Sequence, residues 1–213
     1  MLSYVSIITG VFQTFCSGNN VGHISRRIGR GQLEHMLIQP NSMSLQLLSE
    51  GFLPFTGSGN LMVGIVLLSI SIQQLGLTLT WWWVLSLLGN ILMTMTIILA
   101  QSYLFSSAAF YAPVAAEEIS STVINMGGDL SQYPLSGMHR TVQLSLVTVL
   151  PTGLMGWFPS LSLLGKPPMN LPEYYPVIVA LLFFIAAKMA FKKGMNHYVR
   201  SGSNRYLPYG HRR

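Results

Sequence analysis

"WWWVLSLLGNILMTMTIILAQSYLF", residues 81–105, is the stretch that decides the fold. It contains no Asp, Glu, Lys or Arg, and it exceeds the roughly 20 mostly apolar residues that a helix needs to cross a bilayer. Its three leading tryptophans are typical of a membrane–water interface. Because lipid offers the backbone no hydrogen-bond partners, the stretch predicts a membrane-spanning α-helix.

The absence of charge extends well beyond this stretch. Residues 51–116, 141–165 and 174–187 contain no Asp, Glu, Lys or Arg, and only 8% of all residues are charged, whereas soluble domains carry roughly 25%. Membrane helices are predicted near residues 61–77, 81–105, 142–164 and 175–191, with a partial one at residues 1–16. The predicted fold class is all-α, a polytopic bundle of about five membrane helices.

The Lys and Arg side chains set the predicted orientation. If the first segment ends in the cytoplasm, residues 19–56, 106–140 and 192–213 are cytoplasmic. Eleven of the twelve Lys and Arg then lie on or next to that side, and Lys166 alone lies outside, as the positive-inside rule favours. Because these charges flank membrane segments, a nucleic-acid partner is not indicated.

Two prolines interrupt the third predicted span. Pro151 falls inside it and Pro159 falls near its outer end. Each proline removes a backbone donor and can bend or break a helix. Residues 141–164 are therefore either a broken or re-entrant helix, or a helix with a tolerated kink.

The stretch "RRIGRGQLEHMLIQP", residues 26–40, is a charged island between apolar runs. Three arginines precede three apolar side chains at i, i+3 and i+4, which is typical of an amphipathic helix: Arg26, Arg27, Arg30, Leu33, Met36 and Leu37. The helix is expected to end at the Gln39–Pro40 step, and a second helix to start near Asn41 or Ser42. The residues alone leave open an interfacial helix lying on anionic lipid or a docking element for a cytoplasmic protein.

Motifs for catalysis are weak. The phosphate-binding pattern G-x-x-x-x-G-K-[ST] is missing, so the chain does not hydrolyse nucleotide by that route. Glu117 and Glu118 resemble the start of the EExxxR motif of intramembrane prenyl-protein proteases, but Thr122 stands where that motif has Arg. The five histidines lack metal-ligand spacing, and Cys16 is expected to be an inert buried thiol. No enzyme, cofactor or metal is therefore predicted.

Residues 127–166, "GGDLSQYPLSGMHRTVQLSLVTVLPTGLMGWFPSLSLLGK", resemble the ABC-2 type exporter permeases, in the branch called ABC-2 family transporter proteins. An aromatic-Pro-Leu-Ser turn, a basic residue, a central Pro, an aromatic-Pro pair and a Leu-Leu-Gly end occur in order: Tyr133, Pro134, Leu135, Ser136, Arg140, Pro151, Phe158, Pro159, Leu163, Leu164 and Gly165. The charged island keeps most of a second signature, at Gly31, Leu33, Glu34, Leu37 and Pro40. Gln32 and Gln39 replace an acid and an arginine there, and Gly194 with Tyr198 matches a closing Gly-x-x-x-Tyr motif.

This resemblance implies one permease domain over residues 1–213 in a prokaryotic cell membrane, with its C-terminus in the cytoplasm. It implies pairing with a second copy or a sister permease, and binding to ABC ATPase subunits that hold ATP and Mg. Residues 19–56 would be the coupling segment. Its apolar side chains would fill a groove on the ATPase and its charged ones would fix the orientation: Leu33, Met36 and Leu37, then Arg26, Arg27, Arg30 and Glu34. The family normally has six membrane helices, so the N-terminal elbow and first helix are expected to be missing here.

Two other classes of function compete. A channel or secondary carrier without ATP coupling is disfavoured by charge-free spans and by the lack of an obvious repeat. An intramembrane enzyme is disfavoured further. The polar side chains of the predicted spans either line a path or, as we prefer, bond to neighbouring helices: Gln73, Gln74, Asn90, Gln101 and Gln143.

Overall fold

All regular secondary structure is helical in the part of the chain that the computed structural model describes, which is residues 1–19, 21–41, 46, 49 and 52–201. Within these residues we number nine α-helices: α1 Leu2–Phe15, α2 Val21–Gly29, α3 Leu33–Ile38, α4 Ser58–Leu75, α5 Trp81–Ser106, α6 Pro113–Ser131, α7 Arg140–Thr148, α8 Trp157–Leu163 and α9 Tyr175–Ser201. The predicted all-α class is confirmed. The predicted helix after Asn41 and the end of the C-terminal tail lie largely outside the described residues.

Three helices in the described part are long and apolar enough to cross a membrane: α4, α5 with its continuation to Phe110, and α9. They confirm three of the predicted spans. The predicted partial span corresponds to α1, an apolar helix of 14 residues. The remaining predicted span, residues 142–164, is a helix pair bent by 74°.

Small residues bring α1 and α4 into close contact. A Cβ atom added at Gly10 would lie 2.6 Å from the Leu61 nitrogen, and one at Gly64 would lie 2.7 Å from the Ile7 nitrogen. The Leu53 amide also donates to the Thr14 carbonyl at 2.8 Å, next to the start of α4. Because glycine has no Cβ atom, the two backbones approach closely, and the order of these contacts makes the two helices antiparallel.

Two buried clusters lie at opposite ends of α9. The Trp157 cluster contains Ile97, Leu135, Leu146, Val147, Leu154, Met155, Trp157, Phe158, Val179 and Ala180. The Phe110 cluster contains Ile24, Ile28, Leu33, Met36, Ala109, Phe110, Ala116 and Tyr198. Ala180 and Tyr198 are separated by about 27 Å along the helix, at 1.5 Å per residue.

Helix α6 runs between these two ends of the bundle. It begins at Pro113, which suits the first helical position. Ala116 belongs to the Phe110 cluster, whereas Leu130 packs against the Trp157 cluster. Most of residues 106–140, expected as a cytoplasmic loop, is therefore a helix packed from the Phe110 cluster to the Trp157 cluster, and its side of the membrane stays a prediction. Glu117, Glu118 and Asp129 interrupt the apolar pattern that would have revealed it.

The break between α7 and α8 resolves the two alternatives for residues 141–164 in favour of a broken helix. The backbone leaves the helical region at Leu150, directly before Pro151. The Thr94 hydroxyl, halfway along α5, donates to the Leu154 carbonyl at 3.2 Å and lies 2.8 Å from the Tyr4 hydroxyl. A buried polar link thus holds the break against both α1 and α5.

The second half of the bent pair lies along the first half of α5. The Trp83 ring nitrogen, near the start of α5, donates to the Leu163 carbonyl at 3.1 Å, so the end of α8 lies beside the start of α5. The Trp157 ring nitrogen donates to the Ser136 hydroxyl at 2.9 Å, so the turn before α7 lies beside the start of α8. The segment is therefore a bent pair of the kind that forms either a broken span or a re-entrant loop, and it is not one continuous helix.

Candidate coupling site

The charged island folds into α2 and α3, joined by a tight turn at Gly31. The Gln32 amide donates to the Arg27 carbonyl at 3.0 Å, and the Gly31 amide donates to the Ile28 carbonyl at 3.1 Å. This Schellman pattern needs a left-handed residue, and Gly31 has φ of 71°. The single predicted helix is therefore two helices with a sharp reversal between them.

The end of α3 matches the sequence prediction. Gln39 is extended, with ψ of 146°, directly before Pro40. The side-chain amide of Gln46 donates to the backbone carbonyls of Met36 and Asn41 at 3.1 and 2.8 Å. These bonds tie the chain beyond Pro40 back to the last turn of α3.

One face of the α2–α3 pair is buried inside this chain. Leu33 and Met36 are 2% and 7% exposed, and both pack in the Phe110 cluster with Tyr198 of α9. In this arrangement they do not reach an outside surface, so the expectation that they fill a groove on an ATPase is revised. Their burial instead connects the charged island to the body of the bundle.

The other face is exposed and mixed in character. Arg26, Arg30 and Pro40 are exposed, Arg27 and Glu34 are half-buried, and Leu37 is 47% exposed. Ile38, which the sequence analysis did not select, is 82% exposed. Ile38 directly follows Leu37 but lies outside the i, i+3, i+4 set of Leu33, Met36 and Leu37. An apolar residue off that face, at the end of a helix, was the sequence signal for its exposure. We call Leu37 and Ile38 the exposed apolar pair.

Two of the motif residues meet at the inner face. The Tyr198 hydroxyl lies 3.5 Å from a Glu34 carboxylate oxygen, at the limit for a hydrogen bond. One turn earlier on α9, Gly194 faces the Phe110 ring, and a Cβ atom there would lie 3.0 Å from its Cγ. The Phe110 ring also meets the Tyr198 and Phe191 rings edge to face. Gly194 and Tyr198 therefore form the α9 side of the candidate coupling site.

The remaining motif residues gather around the broken helix, away from the coupling site. Phe158 and Pro159 are buried there, and Pro151 starts the turn that follows the break. Gly165 has φ of 69°, and its neighbour Lys166 donates its amide to the Leu161 carbonyl at 3.0 Å. This is another Schellman turn, and it ends α8. Tyr133 and Pro134 are exposed on the connection between α6 and α7, and Arg140 is exposed at the first position of α7.

Catalytic alternatives gain no geometric support in the described part of the chain. No group of three or more His, Cys, Asp or Glu among those residues could hold a metal ion. Glu118 is exposed on α6, and the Glu117 side chain lies outside the described set. Cys16 is buried and free, as expected.

The apolar helices of this chain and their arrangement define a multi-pass helical membrane protein. A family model described as ABC-2 family transporter protein matches residues 1–202. The chain belongs to this family of transport proteins, and the resemblance seen in the sequence is confirmed. No curated protein and no solved structure matches the chain significantly.

Proposed function

We propose that this chain is the permease subunit of an ATP-driven exporter and that α2–α3 is its joint to a separate ABC ATPase. The observation that carries the proposal is the two-faced packing of α2–α3. Leu33 and Met36 attach the pair to the bundle, while the exposed apolar pair and Arg26 with Arg30 face outward. A partner that binds the outer face would therefore act on the whole inner end of the bundle.

The Phe110 cluster explains how a movement of α2–α3, caused by the ATPase, would be transmitted to the other helices. It unites α2 and α3 with the start of α6, through Ala116, and with the end of α9, through Tyr198. Packed side chains are not continuously deformable, so a shift of α3 moves these elements together. Binding and hydrolysis of ATP with Mg on the partner would then bias the bundle between inward-open and outward-open states.

The proposed topology follows from the path of α6. With α6 as a crossing and α7–α8 as a re-entrant pair, α1, α5 and α9 descend toward the cytoplasm while α4 and α6 ascend. Arg140 joins Lys166 on the outer side, which leaves ten of the twelve Lys and Arg inside. The C-terminus is cytoplasmic, and the membrane is a prokaryotic cell membrane.

A polar face of α6 supplies the proposed substrate path. Exposed polar side chains recur at i, i+4, i+7 and i+11, which places them on one side of the helix: Glu118, Thr122, Asn125 and Asp129. Acidic groups within a membrane face a bundle interior or a water-filled cavity because lipid excludes charge. We infer that this face lines an aqueous path shared with a second copy or a sister permease.

The same acidic residues support the second candidate, a secondary carrier coupled to protons or cations. Glu118 and Asp129 would be intramembrane charges of the kind that such carriers use. A carrier transports without an ATPase. If this chain were a carrier, the outer face of α2–α3 would therefore bind no ATPase. Dependence on an ATPase therefore separates the two functions.

Coexpression with an ABC ATPase encoded beside this gene tests the primary proposal. The native chain is expected to copurify with the ATPase and to support transport that stops when the ATPase is catalytically inactive. The double variant Leu37→Asp/Ile38→Asp is expected to lose copurification, whereas Val199→Asp, at an exposed apolar position near the end of α9, retains it. Transport by the chain without any ATPase would favour the carrier instead.

A further inference from the structure

A basic cleft opens at the inner end of α9, separate from the coupling face. It has a volume of about 390 Å³ and is lined by Tyr111, Lys193, Asn196, His197 and Arg200. The Tyr111 and His197 rings stack, with centroids 4.6 Å apart, and form one wall. The volume lies within the range of small-molecule sites, about 300–1,000 Å³.

The lining chemistry selects an anion. Two side chains are cationic, Lys193 and Arg200, and none of the five lining residues is acidic. Both cations are exposed, so their charges are available to a ligand. Asn196 adds an amide donor between them, and Arg and Lys are the side chains that bind phosphate most often.

The depth of the cleft places it at the level of lipid headgroups. Lys193 follows Tyr175, the first residue of α9, by about 27 Å along the helix, which is close to the roughly 30 Å of a bilayer hydrocarbon core. Tyr174 and Tyr175 occupy the opposite boundary, where aromatic rings favour the interface. The cleft therefore lies where the inner leaflet presents its phosphates.

The surface of α9 above the cleft is apolar and continuous with it. Exposed apolar side chains recur along one stripe, at i, i+4, i+7 and i+11: Ile178, Leu182, Ile185 and Met189. The next positions of the same stripe are Lys193, Asn196 and Arg200, at i+15, i+18 and i+22. The stripe is thus apolar where it would contact acyl chains, and it becomes basic at the membrane boundary, where it would contact phosphate groups.

We propose that this cleft binds the phosphate headgroup of an anionic inner-leaflet phospholipid whose acyl chain lies along the apolar stripe. The order of apolar and basic residues favours a lipid over a soluble phosphate, because a free phosphate needs no stripe. Basic pockets beside membrane helices on the cytoplasmic side are typical sites for acidic headgroups. The proposal rests on the proposed topology, in which α9 crosses the membrane and ends on the cytoplasmic side, but it stands or falls separately from ATP coupling.

Native mass spectrometry of the full chain, purified with equal amounts of phosphatidylglycerol and phosphatidylcholine, tests this site. The native chain is expected to retain phosphatidylglycerol preferentially. Lys193→Gln/Arg200→Gln is expected to lower that retention about tenfold or more, since it removes both cations that line the cleft and would contact the phosphate. The matched control Lys188→Gln/Lys192→Gln removes the same charge from the same helix outside the cleft, and it should bind like the native chain.

Several results would overturn the proposal. Equal retention of both lipids by the native chain, or an equal loss in both double variants, would leave only general attraction to basic residues. Displacement of the lipid by millimolar inorganic phosphate would identify a site for a soluble anion. Loss of a dimer, without loss of lipid, in the cleft variant would assign the surface to a second copy. If the double variant fails to fold, Lys193→Gln alone should lower retention about fivefold.

Discussion

The Tyr198 hydroxyl lies 3.5 Å from the Glu34 carboxylate and connects positions 164 residues apart. Glu34 belongs to α3 and Tyr198 to the last helix, so the contact ties the charged island to the far end of the chain. Both residues were selected by the family resemblance, from motifs that have no sequence relation to one another. The structure brings them together beside the Phe110 ring, which Tyr198 meets edge to face.

Replacing Gly194 by Ala should destabilise the inner end of the bundle. The new methyl group would contact the Phe110 ring, and overpacking of this kind costs about 1–3 kcal/mol. Gly89→Ala is the control, because no atom lies within 4 Å of its added Cβ. Thermal unfolding in detergent should show a lower midpoint for Gly194→Ala only. Equal midpoints would mean that Phe110 moves aside without cost.

Replacing Thr94 by Val should loosen the broken helix. The Leu154 carbonyl and the Tyr4 hydroxyl would both lose their partner, and an unsatisfied buried group costs about 1–3 kcal/mol. Hydrogen exchange of residues 149–156 should accelerate. Thr96→Val removes a hydroxyl that bonds only to its own helix, at Leu92, and should leave this exchange unchanged. Protection that survives Thr94→Val would argue against the polar link.

Burial separates two leucines that the sequence places in one group. Leu33→Ala should lower the free energy of unfolding by about 2–5 kcal/mol, because it leaves a cavity in the Phe110 cluster. Leu37→Ala should change it by about 0.5 kcal/mol or less, since the side chain is 47% exposed. Chemical denaturation of the two variants measures the difference. Similar losses would contradict the two-faced packing of α2–α3.

Cysteine labelling from outside the cell tests whether α6 crosses the membrane. Two variants are made in a Cys16→Ala background. Ala115→Cys puts an exposed thiol in the first turn of α6, and Gln132→Cys puts one directly after its last residue. A membrane-impermeant maleimide should label position 132 in intact cells and position 115 only after permeabilisation. Labelling of neither position in intact cells would restore the cytoplasmic loop expected from the sequence.

Sequence patterns sufficed wherever apolar side chains alone determine the structure. The spans at α4, α5 and α9 follow from charge-free runs, and the end of α3 follows from Pro40. The break before Pro151 was one of two open alternatives. A proline in a helix fixes neither the bend angle nor the residue that bonds to the backbone groups at the break. Thr94, which is distant in sequence, supplies that partner.

Patterns failed where tertiary contacts decide which side of a helix is buried. Helix α6 carries acids and serines, so no hydropathy rule selects it as an element that follows the bundle. Leu33, Met36 and Leu37 share one helical face by spacing, but Gly31 reverses the chain and turns Leu33 and Met36 inward. The exposed Ile38 was missed for the same reason, since the turn at Gly31 sets the direction of the whole of α3.

Site-specific photocrosslinking in the coexpressed complex tests the central claim, that the outer face of α2–α3 contacts an ABC ATPase. A benzoylphenylalanine replaces Ile38 in one variant and Leu33 in another, so that the probe starts from the exposed or from the buried face. The account predicts an adduct with the ATPase from position 38 and only adducts within this chain from position 33. Copurification of the ATPase without an adduct from position 38, or with a stronger one from position 33, would contradict it.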